Sequence, residues 1–247
     1  MIDLPLFIPF VKNPILITPV KDSLKTTREM ISSLRAVSQD IPYYIFDDFS
    51  SKETRRWLEE NSAQYGYKVI GLEKHTKKSS PNYRTTLILA QKLAIENGAH
   101  LAIVESDVFA RHETILELNK LAEELNDAGL VGAVTVDTAG EINFPYTFAT
   151  AIDKPTIFAS AKSVSFCCTV LSLRMLEKFD FNELPQNMDW FDVFISRKSR
   201  QLGFCNYVVK SLPVVHKPHS SRPWKNLKYK NPILYYLKKI IKQRDRI

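Results

Sequence analysis

Four places in this sequence carry side chains whose types and spacing suit chemistry. Glu105-Ser106-Asp107 separates two carboxylates by one residue. Hard divalent cations take oxygen ligands and share their shell with phosphates, so this pair suits a cation held against a diphosphate; the bland alternative is a solvated acidic turn. Asp47-Asp48 offers acceptors for a nucleobase imide or for ribose hydroxyls. Alternatively, Asp48 or Ser50 simply caps the next helix. Asp189-Trp190-Phe191-Asp192 opens a helical segment, where an acid either complements the helix dipole or serves as a general base for a hydroxyl. His216 closes an apolar run, a position equally suited to an ordinary core or edge histidine. His75, His100, His112 and His219 show no metal-ligand spacing, and the chain contains no G-x-S-x-G, G-x-G-x-x-G or Walker A run.

These residues need elements to position them. Ile15-Leu16-Ile17-Thr18-Pro19 reads as a buried strand running into a turn, Tyr43 to Phe46 as a second strand, and Lys68 to Leu72 as a third. Leu101 to Val104 is a fourth, leading straight into Glu105. Thr26-Thr27-Arg28-Glu29 and Ser50-Ser51-Lys52-Glu53 have capping-box spacing and predict helix starts. A polar, basic loop from Glu73 to Asn82 precedes a long helix over about 83–96, stopped by Asn97-Gly98. A helix over about 112–125 and a strand over 131–136 follow. Apolar strands alternating with helices predict an α/β fold with a doubly wound, mostly parallel sheet flanked by helices. In such sheets ligands bind beyond the carboxyl ends of the strands, which is where the acids fall. The segment from about 140 to 166 is loop-rich. Beyond it the pattern predicts helices over about 173–179 and 190–202 and strands over 206–210 and 213–216.

Composition sets the outer bounds. The chain has 247 residues, 45% hydrophobic and 25% charged, enough for one α/β domain and unlike a disordered or disulfide-stapled chain. Three cysteines, two of them adjacent, form no CxxC, which suggests a reducing compartment and no structural zinc site. The short apolar run Leu4 to Val11 lacks the marks of a signal peptide. Net charge is +7, yet residues 217–247 hold ten Lys/Arg and one acid, so that tail carries +9 and the rest −2. A near-neutral body with a basic end argues against a general nucleic-acid binder. The expected division is a domain over 1–216, in two halves of about 14–136 and 137–216, followed by a basic amphipathic extension over 217–247.

Taken in order, the motifs resemble glycosyltransferase family 2, with the GT-A fold. The matching pieces are Ile15-Leu16-Ile17-Thr18-Pro19-Val20, the D-D-x-S of Asp47-Asp48-Phe49-Ser50, and Gly98 seven residues ahead of a D-x-D that appears as Glu105-Ser106-Asp107. The second half is more similar to the rhamnosyltransferase-like branch. Phe181-Asn182-Glu183, Asp189-Trp190-Phe191-Asp192, Arg200, Gly203-Phe204 and Val214-Val215-His216-Lys217 carry that likeness. The family's A-R-N is Ile88-Leu89-Ala90 here, and its E-D glutamate is Phe191.

The resemblance implies an inverting, metal-dependent transfer of sugar from a UDP-, GDP- or dTDP-linked donor to a hydroxyl of a glycan or lipid-linked acceptor, in bacterial surface-polysaccharide synthesis. It implies nucleotide contacts from Thr18, Pro19, Asp47, Asp48, Arg84 and Ser106. Glu105, Asp107 and His216 would ligate Mg²⁺ or Mn²⁺, Asp192 would be the base with Asp189 its rival, and Trp190 would line the acceptor pocket. Two other readings stand beside it: a non-catalytic nucleotide-sugar-binding homologue, favoured by Phe191 and Phe194, and a sugar nucleotidyltransferase, which lacks its glycine-rich basic loop here. Ile233, Leu237, Ile240 and Ile241 share one helical face among lysines and arginines, a pattern suited to an anionic membrane surface. The expected location is cytoplasmic, peripheral on the inner face of the membrane.

Overall fold

A computed structural model describes residues 12–35, 40–151, 156–188, 190–217, 231, 233, 234 and 237. Strand β1 (Ile15–Val20) lies between β2 (Tyr43–Asp47) and β4 (Leu101–Val104), with β3 (Tyr67–Gly71) at the rim. All of these pairs are parallel. The sheet continues through β8 (Cys168–Leu171), β6 (Ala128–Val136), β9 (Cys205–His216) and β5 (Val108–Phe109), while β7 (Ile157–Ala159) also pairs with β9. β8 runs antiparallel to both β4 and β6, whereas β6 and β9 are parallel.

Period-two alternation explains why the strands are apolar throughout. In β1, Ile15 and Ile17 enter one core with Leu87, Ala90, Leu176 and Phe191, under α4 (Tyr83–Glu96), α6 (Leu173–Lys178) and α7 (Phe191–Gln201). Leu16 and Val20 enter the opposite core with Met30, Leu58 and Leu118, under α1 (Leu24–Arg35), α2 (Lys52–Glu60) and α5 (His112–Glu124). A sheet covered on both faces has no polar face to show in its sequence. The short helix α3 (Ser62–Tyr65) closes the α2 connection.

Helix ends follow local chemistry, with small departures from expectation. α1 begins at Leu24, ahead of the Thr26 capping pattern, and the Thr27 amide donates to the Ser23 carbonyl. The cap of α2 is Ser51, whose Oγ accepts from the Thr54 amide, and neither Asp48 nor Ser50 fills that place. α4 stops at Asn97, with Gly98 at φ +53° in the left-handed region that favours glycine. The two strands expected over 206–210 and 213–216 are one. Along it Ala133 pairs with Val209, then Thr135 with Val214, so β9 spends three more residues than β6 in this bulge. β5, β7 and β8 fall where no strand is expected from the sequence.

No helix among the described residues is long and apolar enough to cross a membrane. Of the expected C-terminal amphipathic helix, only Ile233, Leu234 and Leu237 are described; they are helical and exposed. Ile240 and Ile241 lie outside the described residues.

Candidate functional site

The carboxyl ends of β1, β2 and β4 converge on one edge of the sheet, and β9 delivers its last residue to the same place. β5 turns back after Glu105-Ser106-Asp107 and pairs antiparallel with the end of β9, Val108 opposite His216. The Val108 amide donates to the Glu105 carbonyl at 3.0 Å, and the Lys217 amide donates to the Asp107 carbonyl at 3.0 Å. This small frame buries Asp107 (2% exposed) beside His216 (4%). His216 Nε2 stands 3.6 Å from Asp107 Oδ2.

The histidine tautomer follows from its partner. His216 Nδ1 lies 3.2 Å from the Phe144 carbonyl. A carbonyl only accepts, so Nδ1 carries the hydrogen. Nε2 is buried and has no hydrogen-bond partner among the described residues. With the hydrogen on Nδ1, Nε2 faces a carboxylate oxygen, an arrangement that suits a cation between them. A backbone carbonyl on one ring nitrogen, with the other aimed at a charge site, is also how metal-ligating histidines are held. Among the described residues no group of three or more His, Cys, Asp and Glu side chains could hold a metal ion. A cation here would thus take Asp107 and His216 from the protein and the rest of its shell from phosphate and water, as Mg²⁺ commonly does. Glu105 Oε2 lies 3.7 Å from Cys167 Sγ, whose thiol donates to it. Ser106 is buried (8%).

A second string of contacts leads away from Glu105. Ser165 Oγ–H donates to Cys167 Sγ at 3.3 Å, and the Ser165 amide donates to the Tyr146 hydroxyl at 3.0 Å. Burial raises the Tyr146 pKa well above its ordinary value, with the nearby Cys167 thiol and Asp192 carboxylate pushing the same way. Asp192 therefore lies within electrostatic reach of this string. It occupies the first turn of α7, half-buried, and its Oδ1 accepts from the Val193 amide at 2.9 Å. Trp190 precedes that helix, its Nε1 buried with no partner among the described residues. Asp189 lies outside the described residues. Cys168, fully buried, has its thiol pushed up to about 12 by desolvation and is inert.

The β2 corner is organised differently. Asp47 is fully buried; its Oδ1 accepts from the Ser50 amide at 3.0 Å and its Oδ2 from Arg55 Nε at 2.9 Å. Asp48 accepts three hydrogen bonds, from Ser80 Oγ (2.7 Å), the Asn82 amide (2.8 Å) and Asn82 Nδ2 (2.7 Å). Phe49 follows at φ +57°, and Asp22 and Ser23 at the neighbouring β1 tip also have positive φ. Non-glycine residues held there typically cost about 1–3 kcal/mol each and cluster at ligand sites. Asp22 Oδ1 accepts from the Ser51 amide at 2.7 Å, tying the two tips together.

Three residues expected at a nucleotide have other tasks. Thr18 is fully buried and its Oγ1 accepts from Tyr43 Oη at 2.8 Å, because its side chain falls on the α1 face of β1. Pro19, half-buried, falls on the other face. Arg84 reaches back to the Leu184 carbonyl (2.7 Å) and the Asn182 carbonyl, clasping the turn over 181–183. Asp47, as described, is consumed by its own corner. Conversely, Tyr146, Ser165, Asn82 and the Phe144 carbonyl belong to the site and carried no chemical motif. Only their tertiary placement reveals them.

No family model matches the sequence, and neither does any curated protein. Solved structures with a similar fold are glycosyltransferases. A mannosyltransferase from Pyrobaculum calidifontis, solved with GDP-Man and Mn²⁺, matches 93% of this chain and 65% of its own at 13% identity, TM-score 0.62. GalNAc-T7, solved with UDP, GalNAc and Mn²⁺, matches 84% of this chain and 44% of its own at 13% identity, TM-score 0.61. TarS of S. aureus matches 92% of this chain and 39% of its own at 16% identity, TM-score 0.61. The chain spans between 39% and 65% of the length of these proteins. The expected mixed α/β fold, a largely parallel central sheet flanked by helices, is the one found.

Proposed function

We propose that this chain is an inverting glycosyltransferase of the family 2 type, transferring a sugar from a nucleotide-sugar donor to a hydroxyl of a glycan or lipid-linked acceptor. The observation that carries the reading is the buried Asp107–His216 pair, 3.6 Å apart, at the carboxyl edge of the sheet. Glycosyltransferases of the same fold were solved with nucleotides or nucleotide sugars and Mn²⁺, and that supports a diphosphate donor here.

Asp107 and His216 would hold Mg²⁺ or Mn²⁺, which when bound neutralises the departing nucleoside diphosphate. Asp107 supplies the charge, and the Phe144 carbonyl keeps His216 in the tautomer that offers Nε2. Asp48 has two oxygens with about four acceptor positions and uses three, leaving one for an imide or ribose hydroxyl of a UDP, GDP or dTDP moiety. Asp192, within electrostatic reach of Tyr146, takes the acceptor hydroxyl's proton as that oxygen attacks the anomeric carbon. Asp189 is the other carboxylate of the motif able to take that role. Trp190, with its unmatched indole N–H, lines the acceptor side. The rhamnosyltransferase-like branch and a role in bacterial surface polysaccharide rest on the motif likeness. The basic tail and exposed Ile233 and Leu237 favour peripheral attachment to an anionic inner membrane face.

Thermal-shift titration with UDP, GDP and dTDP, with and without Mn²⁺, tests the core of this reading. One nucleotide should stabilise the protein strongly only with Mn²⁺, and Asp107→Asn should erase that dependence. Equal responses with and without the ion in both proteins would overturn it.

A further inference from the structure

Asn143 and Phe144 are neighbours in the chain, and both grip His216 from a distance of more than seventy residues. The Phe144 carbonyl stands 3.2 Å from Nδ1 of the ring, and Asn143 Nδ2 donates to the His216 carbonyl at 3.2 Å. One dipeptide thus holds the histidine at its ring and at its backbone.

The turn that carries this dipeptide is closed by other groups. The Asn143 amide donates to the Thr135 carbonyl at 3.0 Å, and the Asn143 carbonyl accepts from the Tyr146 amide at 2.9 Å. Fully buried Thr135 adds its hydroxyl, 3.3 Å from the Phe144 carbonyl. The Asn143 side chain reaches past these contacts to residue 216. Its Oδ1 is buried and has no hydrogen-bond partner among the described residues. Reversing the amide would set that oxygen against the His216 carbonyl, two acceptors in contact. A buried amide that leaves its acceptor unmatched to keep a donor in use is oriented by that donor's target.

His216 has reason to be held. β6 and β9 last pair at Val136 and Val215, so residue 216 lies one step beyond that ladder, with Val108 of β5 opposite it on the other side. Strand ends open more readily than strand centres. Ligand atoms about 2.1 Å from one ion stand at most about 4.2 Å apart. Nε2 and Asp107 Oδ2 are already 3.6 Å apart, so a drift of the strand end by roughly 0.6 Å takes them out of reach of a shared ion. The Asn143 amide bonds the His216 carbonyl where the β6 ladder stops.

We infer that Asn143 is a positioning residue for the cation site: its Nδ2–H fixes the end of β9 so that His216 Nε2 and Asp107 meet one ion. This rests on the cation reading of the proposed function and assigns a further residue to it. Asn143 acts through the histidine and not as a ligand. Residues that orient a metal-binding histidine in this way typically account for about 10- to 100-fold in metal affinity.

The test is a titration of the full chain with Mn²⁺ alone, the free ion being followed by its electron paramagnetic resonance. It compares wild type with Asn143→Leu, Asn143→Asp and Asp107→Asn. Asn143→Leu should bind Mn²⁺ about 10- to 100-fold more weakly, while the melting temperature of the ion-free protein hardly changes. Asn143→Asp keeps the shape and the oxygen but has no N–H. It should weaken binding too, and it carries the test if the leucine variant fails to fold. At saturating Mn²⁺, spin-echo modulation from an imidazole nitrogen should be present in wild type and diminished in both variants, a signature that a purely structural role would not move. Unchanged affinity and nitrogen coupling in both variants overturn the inference alone, provided that Asp107→Asn still abolishes binding. Affinity of Asn143→Asp at or above the wild-type value also overturns it, since Oδ1 would then be the working atom. Wild type that binds no Mn²⁺, or binds it equally after Asp107→Asn, overturns the cation reading and this inference together.

Discussion

The acidic tips of β2 and β4 look alike in sequence and are built in opposite ways. At β2 the protein answers its own carboxylates: Asp47 and Asp48 together accept from Ser50, Arg55, Ser80 and twice from Asn82. At β4 a nearly inaccessible carboxylate faces a histidine nitrogen that accepts nothing and donates to nothing nearby. The first corner is held by hydrogen bonds already made. The second keeps charge buried in a form that favours an incoming cation. Two strand-end acids can therefore differ in what faces them: backbone and side-chain donors at β2, a buried imidazole nitrogen at β4.

The sharpest way to break that contrast is to neutralise each corner. Asp107→Asn should lower sugar transfer about 10³-fold, since the site would lose several kcal/mol of charge stabilisation. Its melting temperature should hardly fall; a large loss of stability with residual turnover would place Asp107 with the architectural acids. Asp192→Asn should cost about 10²–10⁴-fold in the rate of transfer, while nucleotide and Mn²⁺ affinity by titration stays at the wild-type value. Asp47→Asn should do the reverse of Asp107→Asn. Losing hydrogen bonds to a buried charged acceptor costs about 1.5–3 kcal/mol in denaturant unfolding, with the Mn²⁺ response preserved.

The smallest effect concerns the opposite edge. Buried His100 accepts from the Leu173 amide at 2.9 Å through Nδ1, and Nε2 lies 3.1 Å from Glu123. Burial lowers its pKa below the ordinary 6.5, against the raising influence of Glu123. The unfolded chain then binds the proton more readily, so stability falls as pH drops below 6.5. His100→Gln should flatten that acid limb in a melting-temperature series while leaving the metal response intact.

Legibility in the sequence divides along the same line. β1, β2 and β4 could be read because two-sided burial writes continuous apolar runs, and α4 because Gly98 stops a helix visibly. β5 is two residues long, β7 is half-exposed, and β8 begins with a cysteine and a threonine, so none carries a strand period. Asp107 and His216 were visible singly as residues, and only the family resemblance put them at one site. Their meeting depends on β5 folding back on β9, which no local pattern encodes. Thr18, Asp47 and Arg84 were placed on the correct elements, but motif position does not say which face of a strand a side chain takes or which carbonyl a guanidinium will find. Tyr146 and Asn82 were invisible because an ordinary tyrosine and asparagine gain their significance only from neighbours distant in the chain.

The bulge in β9 sets the phase of everything beyond it. Side chains alternate along an extended chain, so the three surplus residues between Val209 and Val214 act as a spacer of odd length. Removing Ser211 alone would shift the remainder by one, carrying the imidazole to the reverse side of the sheet and leaving Lys217 in its stead. The Asp107–His216 juxtaposition is thus tuned by parity, and an insertion tolerated almost anywhere on the surface would here undo it.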